Sequence, residues 1–367
     1  MNEILNVRER PFSDESISKK EYHTYSSYHQ SFKANDEIRI CIQNQDLYVL
    51  PHESYLNFQG VVKRVAADGT STTDNIEVTF RNNCMANFID EIRYEINGYE
   101  IDRTRFVGMS STLKNYLSES RQDSRKLLNA GWSGGNDIIT KGNFNFSLPL
   151  KNVMGFAEDY RKVLLNCKHE LILLLTKNLD DVYVKNKANH TYVLEMTNIS
   201  WKIPHVTPSD AAKIKMYDII KSGVNLPIAF RSWDTYINPK LIQGNQHVWS
   251  LKIGSNRERP RFAIIAFMLN GELITNNLSN LKVHLNSETY PYDDLNVNFE
   301  NDKYAHLYDM YAMFQKSYYN RPAEPFLSPT EFKSKPIIVV DLSYQNETVK
   351  SGPIDVRISI DLKKSKQ

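Results

Sequence analysis

The sequence predicts an all-β protein made of two similar modules and a few short helices. Three observations carry this. Residues 89–97 read Ile-Asp-Glu-Ile-Arg-Tyr-Glu-Ile-Asn, and residues 278–286 read Leu-Ser-Asn-Leu-Lys-Val-His-Leu-Asn. Ile89, Ile92, Tyr94 and Ile96 fall on Leu278, Leu281, Val283 and Leu285 at one constant offset, and Asn97 and Asn286 each open a turn. Apolar and polar residues alternate along many other segments of both halves. A capped helix interrupts that alternation near the middle of the chain.

Residues 1–30 are polar and irregular and end in a Tyr/His/Ser cluster from Tyr22 to His29. They are expected to be an N-terminal arm that orders only on a partner. Beyond it the two-residue period takes over. Ile38, Ile40 and Ile42 alternate with polar neighbours, as do Ile76, Val78 and Phe80. Phe144, Phe146, Leu148 and Leu150 do the same, and so do Ile199, Trp201 and Ile203. This is the pattern of antiparallel strands with one face on a core. Val163 to Leu175 is more continuously apolar and reads as a central strand or pair of strands.

A helix is predicted over 207–220, with Thr207 as N-cap, Pro208 at the first helical position and Asp210 in the first turn. Ala211, Ile214, Tyr217 and Ile220 recur at helical spacing, and Gly223 suits the C-terminus. The second half then repeats the strand chemistry at Trp249 to Ile253, 262–269, Leu281 to Leu285, 337–342 and Val356 to Leu362. Tyr304, Leu307, Tyr308, Tyr311, Phe314 and Tyr318 trace one face of a helix whose counterpart lies near Ser110 to Ser120. Each half thus holds about seven or eight strands plus a helix. Two sheets of that many strands closing face to face make a jelly roll. The chain divides into an arm (1–30), a first jelly roll (31–206), a connecting helix (207–223), a second jelly roll (224–362) and a basic tail (363–367).

Composition narrows the function. The 367 residues suit two domains, and 41% hydrophobic with 24% charged residues is ordinary for a packed protein. A net charge of +2 gives no general drive toward nucleic acid, so such contact would need a local basic segment. Tyr and Phe, at 21 and 16, favour strands and broad amphipathic contact surfaces. Cys41, Cys84 and Cys167 lie too far apart for a disulfide framework, which points to a reducing compartment. No signal peptide or membrane-spanning segment is expected.

No catalytic signature survives inspection. Gly131-Trp132-Ser133-Gly134-Gly135 matches a nucleophile-elbow string, but it lacks the strand before and helix after that the elbow requires. It reads as a surface loop. Cys167 and His169 are the only close Cys/His pair, and a metal needs three or four converging ligands. Asp180-Asp181 and Asp293-Asp294 could serve as glycosidase carboxylates but lie in expected loops. Arg257, Arg259 and Arg261 are interrupted by Pro260, and Lys363, Lys364 and Lys366 read as a solvated tail. The aromatic helix at 304–318 is assigned to a subunit interface. No catalytic, cofactor-binding or metal-ligating residue is assigned, and no cofactor.

Several stretches resemble the major capsid proteins of Maverick/Polinton and adintovirus-like elements. They include Ser31-Phe-Lys-Ala-Asn-Asp-Glu-Ile-Arg-Ile40, Gln45 to Ser54, Asp90 to Gly98, Glu100 to Arg105 and Ser111 to Tyr116. Gly155-Phe-Ala-Glu-Asp-Tyr160, Pro227-Ile-Ala-Phe-Arg-Ser-Trp233, Leu285 to Asp294 and Ser351 to Arg357 are similar to that family too. The strings cover nearly the whole chain and are structural, not catalytic. The resemblance implies a double jelly roll: two eight-stranded sandwiches that form homotrimers of pseudo-hexagonal outline and tile an icosahedral capsid. It further implies penton or minor capsid partners, non-specific contact with packaged nucleic acid, assembly inside the host cell and residence in the virion. At this length long outward loops are not expected, and 120–143 and 296–335 are the expected surface or inter-subunit insertions. Two other functions fit the β pattern. One is a two-module β-sandwich that binds or hydrolyses glycans, with Asp293 and Asp294 as its carboxylates. The other is a domesticated or minor capsid-like protein that forms trimers without a shell.

Overall fold

A computed structural model describes residues 15–28, 32–43, 48–66, 69–73, 76, 78–132, 142–185, 191–238, 244–251, 260–269, 272–275, 277–344 and 355–363. The first half opens with strands β1 (Ile17–Ser26), β2 (Glu37–Ile42), β3 (Tyr48–Val49), β4 (Tyr55–Val65), β5 (Ser71–Thr72) and β6 (Val78–Phe80). Helix α1 (Cys84–Asn87), β7 (Ile89–Ile96), β8 (Tyr99–Arg105) and α2 (Val107–Ser118) follow. Then come β9 (Asn143–Pro149), α3 (Gly155–Asp159), β10 (Leu164–Leu165), β11 (His169–Leu175), β12 (Tyr183–Lys185) and the long β13 (Thr191–Pro208).

Two antiparallel sheets form from these strands. One has the order β2-β11-β7-β8; the other runs β10-β3-β13-β4-β5, with β1 added on β13 and β9 on β4. The alternation seen in the sequence sets which residues face inward. Ile38, Ile40, Ile42, Leu171, Leu173, Ile92 and Tyr94 from one sheet meet Leu56, Phe58, Phe144, Phe146, Ile199 and Trp201 from the other in a single core. Tyr94 and Trp201 touch edge to face across it, ring centroids 6.1 Å apart. Burying each such large apolar side chain contributes about 1.5–3 kcal/mol.

Helix α4 (Asp210–Lys221) leads, through extended chain, into the second half. There β14 (Gln246–Leu251), β15 (Phe262–Ala266), β16 (Met268–Leu269), β17 (Glu272–Leu273), β18 (Leu278–Leu285) and β19 (Glu288–Tyr290) precede three helices. These are α5 (Ala305–Ala312), α6 (Phe314–Tyr319) and α7 (Pro329–Ser334), followed by β20 (Ile337–Asp341) and β21 (Val356–Leu362). One sheet runs β14-β21-β18-β19; β15 pairs with β20, and β16 with β17.

The repeated segment is repeated in three dimensions. β7 and β18 share one burial pattern, residue for residue. In the first half Ile96, Tyr94, Ile92 and Ile89 pair with His169, Leu171, Leu173 and Leu175 of β11, with a bulge before the last. In the second, Leu285, Val283, Leu281 and Leu278 pair with Val356, Ile358, Ile360 and Leu362 of β21, again with an irregularity at the last step. The turn is repeated as well. Asn97, at φ 50°, donates its N–H to the Lys168 carbonyl, and its side chain accepts from the Lys168 N–H at 2.8 Å. Asn286, at φ 54°, makes the same pair of bonds with Asp355, the second at 3.0 Å. Asparagine tolerates this left-handed backbone better than other residues with a Cβ. Four strands are therefore built twice in equivalent order, β2-β11-β7-β8 matching β14-β21-β18-β19.

Two expectations need correction here. Residues 17–26, read as part of an irregular arm, form a strand that pairs with β13 from Ile17–Pro208 to Ser26–Ser200. Its side chains are almost all exposed, so its apolar pattern is weak and its order comes from the backbone ladder. The same ladder extends β13 through Pro208. The central helix consequently starts later than Thr207 predicts, with Ser209 as N-cap and Asp210 as its first residue. The apolar run 163–175 forms a pair of strands as expected, β10 and β11; β11 is interior to its sheet, and β10 belongs to the other.

Candidate functional site

The two halves do not keep separate cores. Tyr116 and Leu117 of α2, with Leu127 and Trp132 from the segment after it, pack into the second core beside Tyr311, Phe314, Leu327 and Phe332. Tyr116, Trp132 and Phe326 form a mutually edge-to-face triplet with centroids 5.0–5.9 Å apart. The Tyr311 hydroxyl sits between the halves. It donates to the Tyr116 carbonyl at 2.8 Å and accepts from the Leu327 N–H at 3.0 Å. Burial pushes this phenol well above its ordinary pKa, so it stays a hydrogen-bond donor at any physiological pH.

Around this apolar joint lies a charged clamp. Arg231, on the extended chain after α4, grips Asp159 at the end of α3 with both arms of its fork. Nε reaches Oδ2 at 2.7 Å, Nη2 reaches Oδ1 at 2.6 Å, and the Arg231 backbone N–H adds a bond of 2.9 Å. The guanidinium also lies 3.8 Å over the ring of Tyr318 in α6 and donates to the Tyr318 carbonyl. Burial raises the Asp159 pKa, and the Arg231 bonds override it, leaving the carboxyl below its ordinary value. Trp233 Nε1 donates to the Tyr318 hydroxyl at 3.1 Å, and the Tyr319 hydroxyl donates to Glu158 at 2.6 Å. Glu158 in turn pairs with the almost fully buried Lys114 of α2 at 2.9 Å. Gly155 is required for this approach, since a Cβ there would stand 1.9 Å from the Arg231 carbonyl oxygen. First half, connector and second half are thus tied at one place by planar, two-pronged recognition that lysine could not reproduce.

Two apolar features are only partly covered among the described residues. None of the residues of α4 is buried, and the chain after it stays exposed through Ala229. β15 reads Phe-Ala-Ile-Ile-Ala, apolar on both faces like an interior strand, yet among the described residues only β20 pairs with it. Its counterpart in the first half, β4, is flanked by both β13 and β9.

The residues singled out from the sequence do not converge. Trp132 of the Gly-x-Ser-x-Gly string is buried in the second core, so its start is no surface loop; Ser133 to Gly135 lie outside the described residues. Cys167 precedes β11 and bonds the Leu165 carbonyl at 3.1 Å, whereas His169 is buried against the Tyr94 hydroxyl at 2.7 Å. Burial pushes His169 down to about 4, which keeps it neutral. Asp294 is occupied by Lys282 at 2.7 Å and Asn280 at 3.0 Å, and Asp180 and Asp181 lie within a short helical turn that Asn178 caps. Among the described residues no three His, Cys, Asp or Glu side chains are placed to hold a metal ion. Arg257, Arg259, Lys364 and Lys366 lie outside the described residues. The aromatic helix is two helices, α5 and α6, and Tyr311 and Phe314 are core, not subunit interface: they fill the joint within one chain. Sequence reasoning missed Arg231 and Asp159, 72 positions apart, because no local spacing links them.

No helix among the described residues is long and apolar enough to cross a membrane. A family model described as a double jelly roll-like domain matches residues 78–366. No curated protein matches. Among solved structures, the chain is similar to one in the Sputnik virophage structure, with TM-score 0.54, 11% identity, and 98% of this chain and 84% of that one covered. It is also similar to PBCV-1 VP54 fitted into the Sputnik reconstruction, with TM-score 0.55, 9% identity and coverage of 97% and 87%. The faustovirus major capsid protein gives TM-score 0.50, 9% identity and coverage of 98% and 91%.

Proposed function

This chain belongs to the double jelly roll-like domain family, and on that premise we propose that it is a viral major capsid protein. Three copies form a capsomer, and capsomers assemble an icosahedral shell. One observation carries the reading. A single chain builds the same four-stranded sheet twice, in the same register and with the same asparagine turn, and locks both copies on one joint. Three such chains present six equivalent modules and fill a sixfold position with threefold symmetry. The double-jelly-roll structures it resembles, in a virophage, PBCV-1 and faustovirus, support this. The jelly rolls are taken as 31–206 and 224–362, joined through 207–223. Membership of the Maverick/Polinton and adintovirus-like group rests on the sequence strings alone. Penton or minor capsid partners, non-specific nucleic-acid contact and assembly inside the host cell complete the proposal. The role makes and breaks no bond.

Size-exclusion chromatography with light scattering, followed by negative-stain microscopy, tests it. Trimers and closed shells are expected. Monomers that bind a glycan would refute it in favour of the two-module β-sandwich, and trimers without shells would reduce it to a minor or domesticated capsid-like protein.

A further inference from the structure

We propose that residues 210–228 form the surface through which one copy of this chain holds a second copy. The proposal rests on the assembly reading above and assigns its contact. The observation is a helix whose apolar stripe covers nothing among the described residues. Ile214, Tyr217 and Ile220 recur along one side of α4, and Val224, Leu226 and Ile228 continue the apolar run on the extended chain. All six are exposed, Ile214 by 62% and Val224 by 64%. An isolated helix of this length is marginal in water and ordinarily gains its stability by burying such a stripe. Patches of this kind mark interaction sites.

Charge and area select the occupant. Asp210 and Asp218 nearly balance Lys213, Lys215 and Lys221. Anionic bilayers and nucleic-acid backbones are held by clusters of uncompensated Lys and Arg, which this segment lacks. A protein surface remains. The six side chains together leave on the order of 600 Å² open, at roughly 150–250 Å² for a whole large side chain. That approaches the ~800 Å² per partner of an ordinary stable interface. A closed ring of copies needs one patch to meet a different patch on its neighbour. The partly buried apolar strand β15, with one edge unpaired among the described residues, is such a patch on the second module.

The test is a double variant, Ile214→Asp with Ile220→Asp, compared with the wild type by light scattering across a concentration series. Both positions are exposed, so circular dichroism is expected to show the same fold. Where the wild type is trimeric the variant should be monomeric, with the midpoint concentration of association raised at least a hundredfold. Tyr217→Ser, a milder change, should shift it in the same direction. A trimeric wild type whose double variant is equally trimeric overturns this contact and leaves the capsid reading standing. Retained trimers combined with loss of flotation on phosphatidylserine vesicles would assign the segment to membranes and likewise overturn it. Retained trimers with a lowered melting temperature would mean that the stripe is buried within its own protomer, and this too overturns it. A monomeric wild type defeats the capsid reading, and this contact with it.

Discussion

Replacing Arg231 by Ala removes the central element of the joint, and its cost can be worked from the contacts. Two charge-assisted hydrogen bonds to Asp159, one bond to the Tyr318 carbonyl and stacking on the Tyr318 ring disappear together. Hydrogen bonds to charged groups contribute about 1.5–3 kcal/mol each but are not additive within one fork. Cation–π stacking adds about 0.5–2 kcal/mol. The Arg231 side chain is 35% exposed and Asp159 16%, so solvent screens part of the pair. The Asp159 carboxylate keeps the Arg231 backbone N–H, which softens its isolation. The net expectation is a loss of about 3 kcal/mol, measured by urea denaturation at fixed protein concentration. Arg231→Lys keeps the charge without the fork and should lose about half as much. A double-mutant cycle with Asp159→Asn should give a coupling of at least ~1.5 kcal/mol. The pH dependence has a definite sign. Asp159 titrates lower in the folded state than unfolded, so the clamp's contribution is present at neutral pH and is lost as pH falls through the carboxylate range. The gap between wild type and Arg231→Ala should therefore narrow on acidification. A variant within ~0.5 kcal/mol of the wild type at pH 7, no more than an ordinary surface change, or a lysine variant indistinguishable from arginine, would refute the reasoning.

Asp102 is buried, and its carboxyl is pushed up to about 6 although it accepts the Phe156 N–H at 2.8 Å. The folded protein binds this proton more tightly than the unfolded chain, so the residue costs stability as pH rises from about 4 to about 6. Asp102→Asn should be more stable than the wild type at pH 8 by on the order of 2 kcal/mol and level with it near pH 4, in melts across pH. Tyr311→Phe strands a buried carbonyl and a buried N–H between the halves and should cost about 2 kcal/mol in thermal denaturation, with both halves melting in one transition. Asn97→Ala and Asn286→Ala each force alanine into a left-handed turn and remove a side-chain acceptor, for about 1–2 kcal/mol each. The glycine variants should recover about half, and a cost confined to one of the two positions would show that the turns are not equivalent.

The β architecture was legible because period-2 alternation is a local signal. Ile38-Ile40-Ile42, Phe144-Phe146-Leu148 and Val356-Ile358-Ile360 all face a core as their spacing predicts. The repeat was legible for the same reason: burial at four matched positions is encoded residue by residue. What depends on distant partners was not. β1 is ordered by hydrogen bonds to β13 and by the contacts of His23 and Tyr25 with His205, and its polar sequence carries no alternation that would announce that pairing. Trp132 looks like a loop residue beside glycines until Tyr116 and Phe326 arrive from distant positions. The aromatic face of α5 and α6 signals a large contact, but amphipathicity does not say whether the other side belongs to the same chain. Arg231 and Asp159 each fall inside a string quoted for the family resemblance, Pro227–Trp233 and Gly155–Tyr160. The strings signalled importance without revealing that they meet.

Because Tyr116 and Leu117 at the end of α2, with Leu127 and Trp132, are buried in the second core, the angle between the two halves is not free to vary. Each protomer behaves as a rigid tile with a built-in corner, and a ring of three inherits that corner unchanged. A closed shell made of such tiles has to place all of its curvature in the seams between them. Particles of different diameter would then differ in the exposed segments that meet at those seams, while the interior of the tile stayed constant.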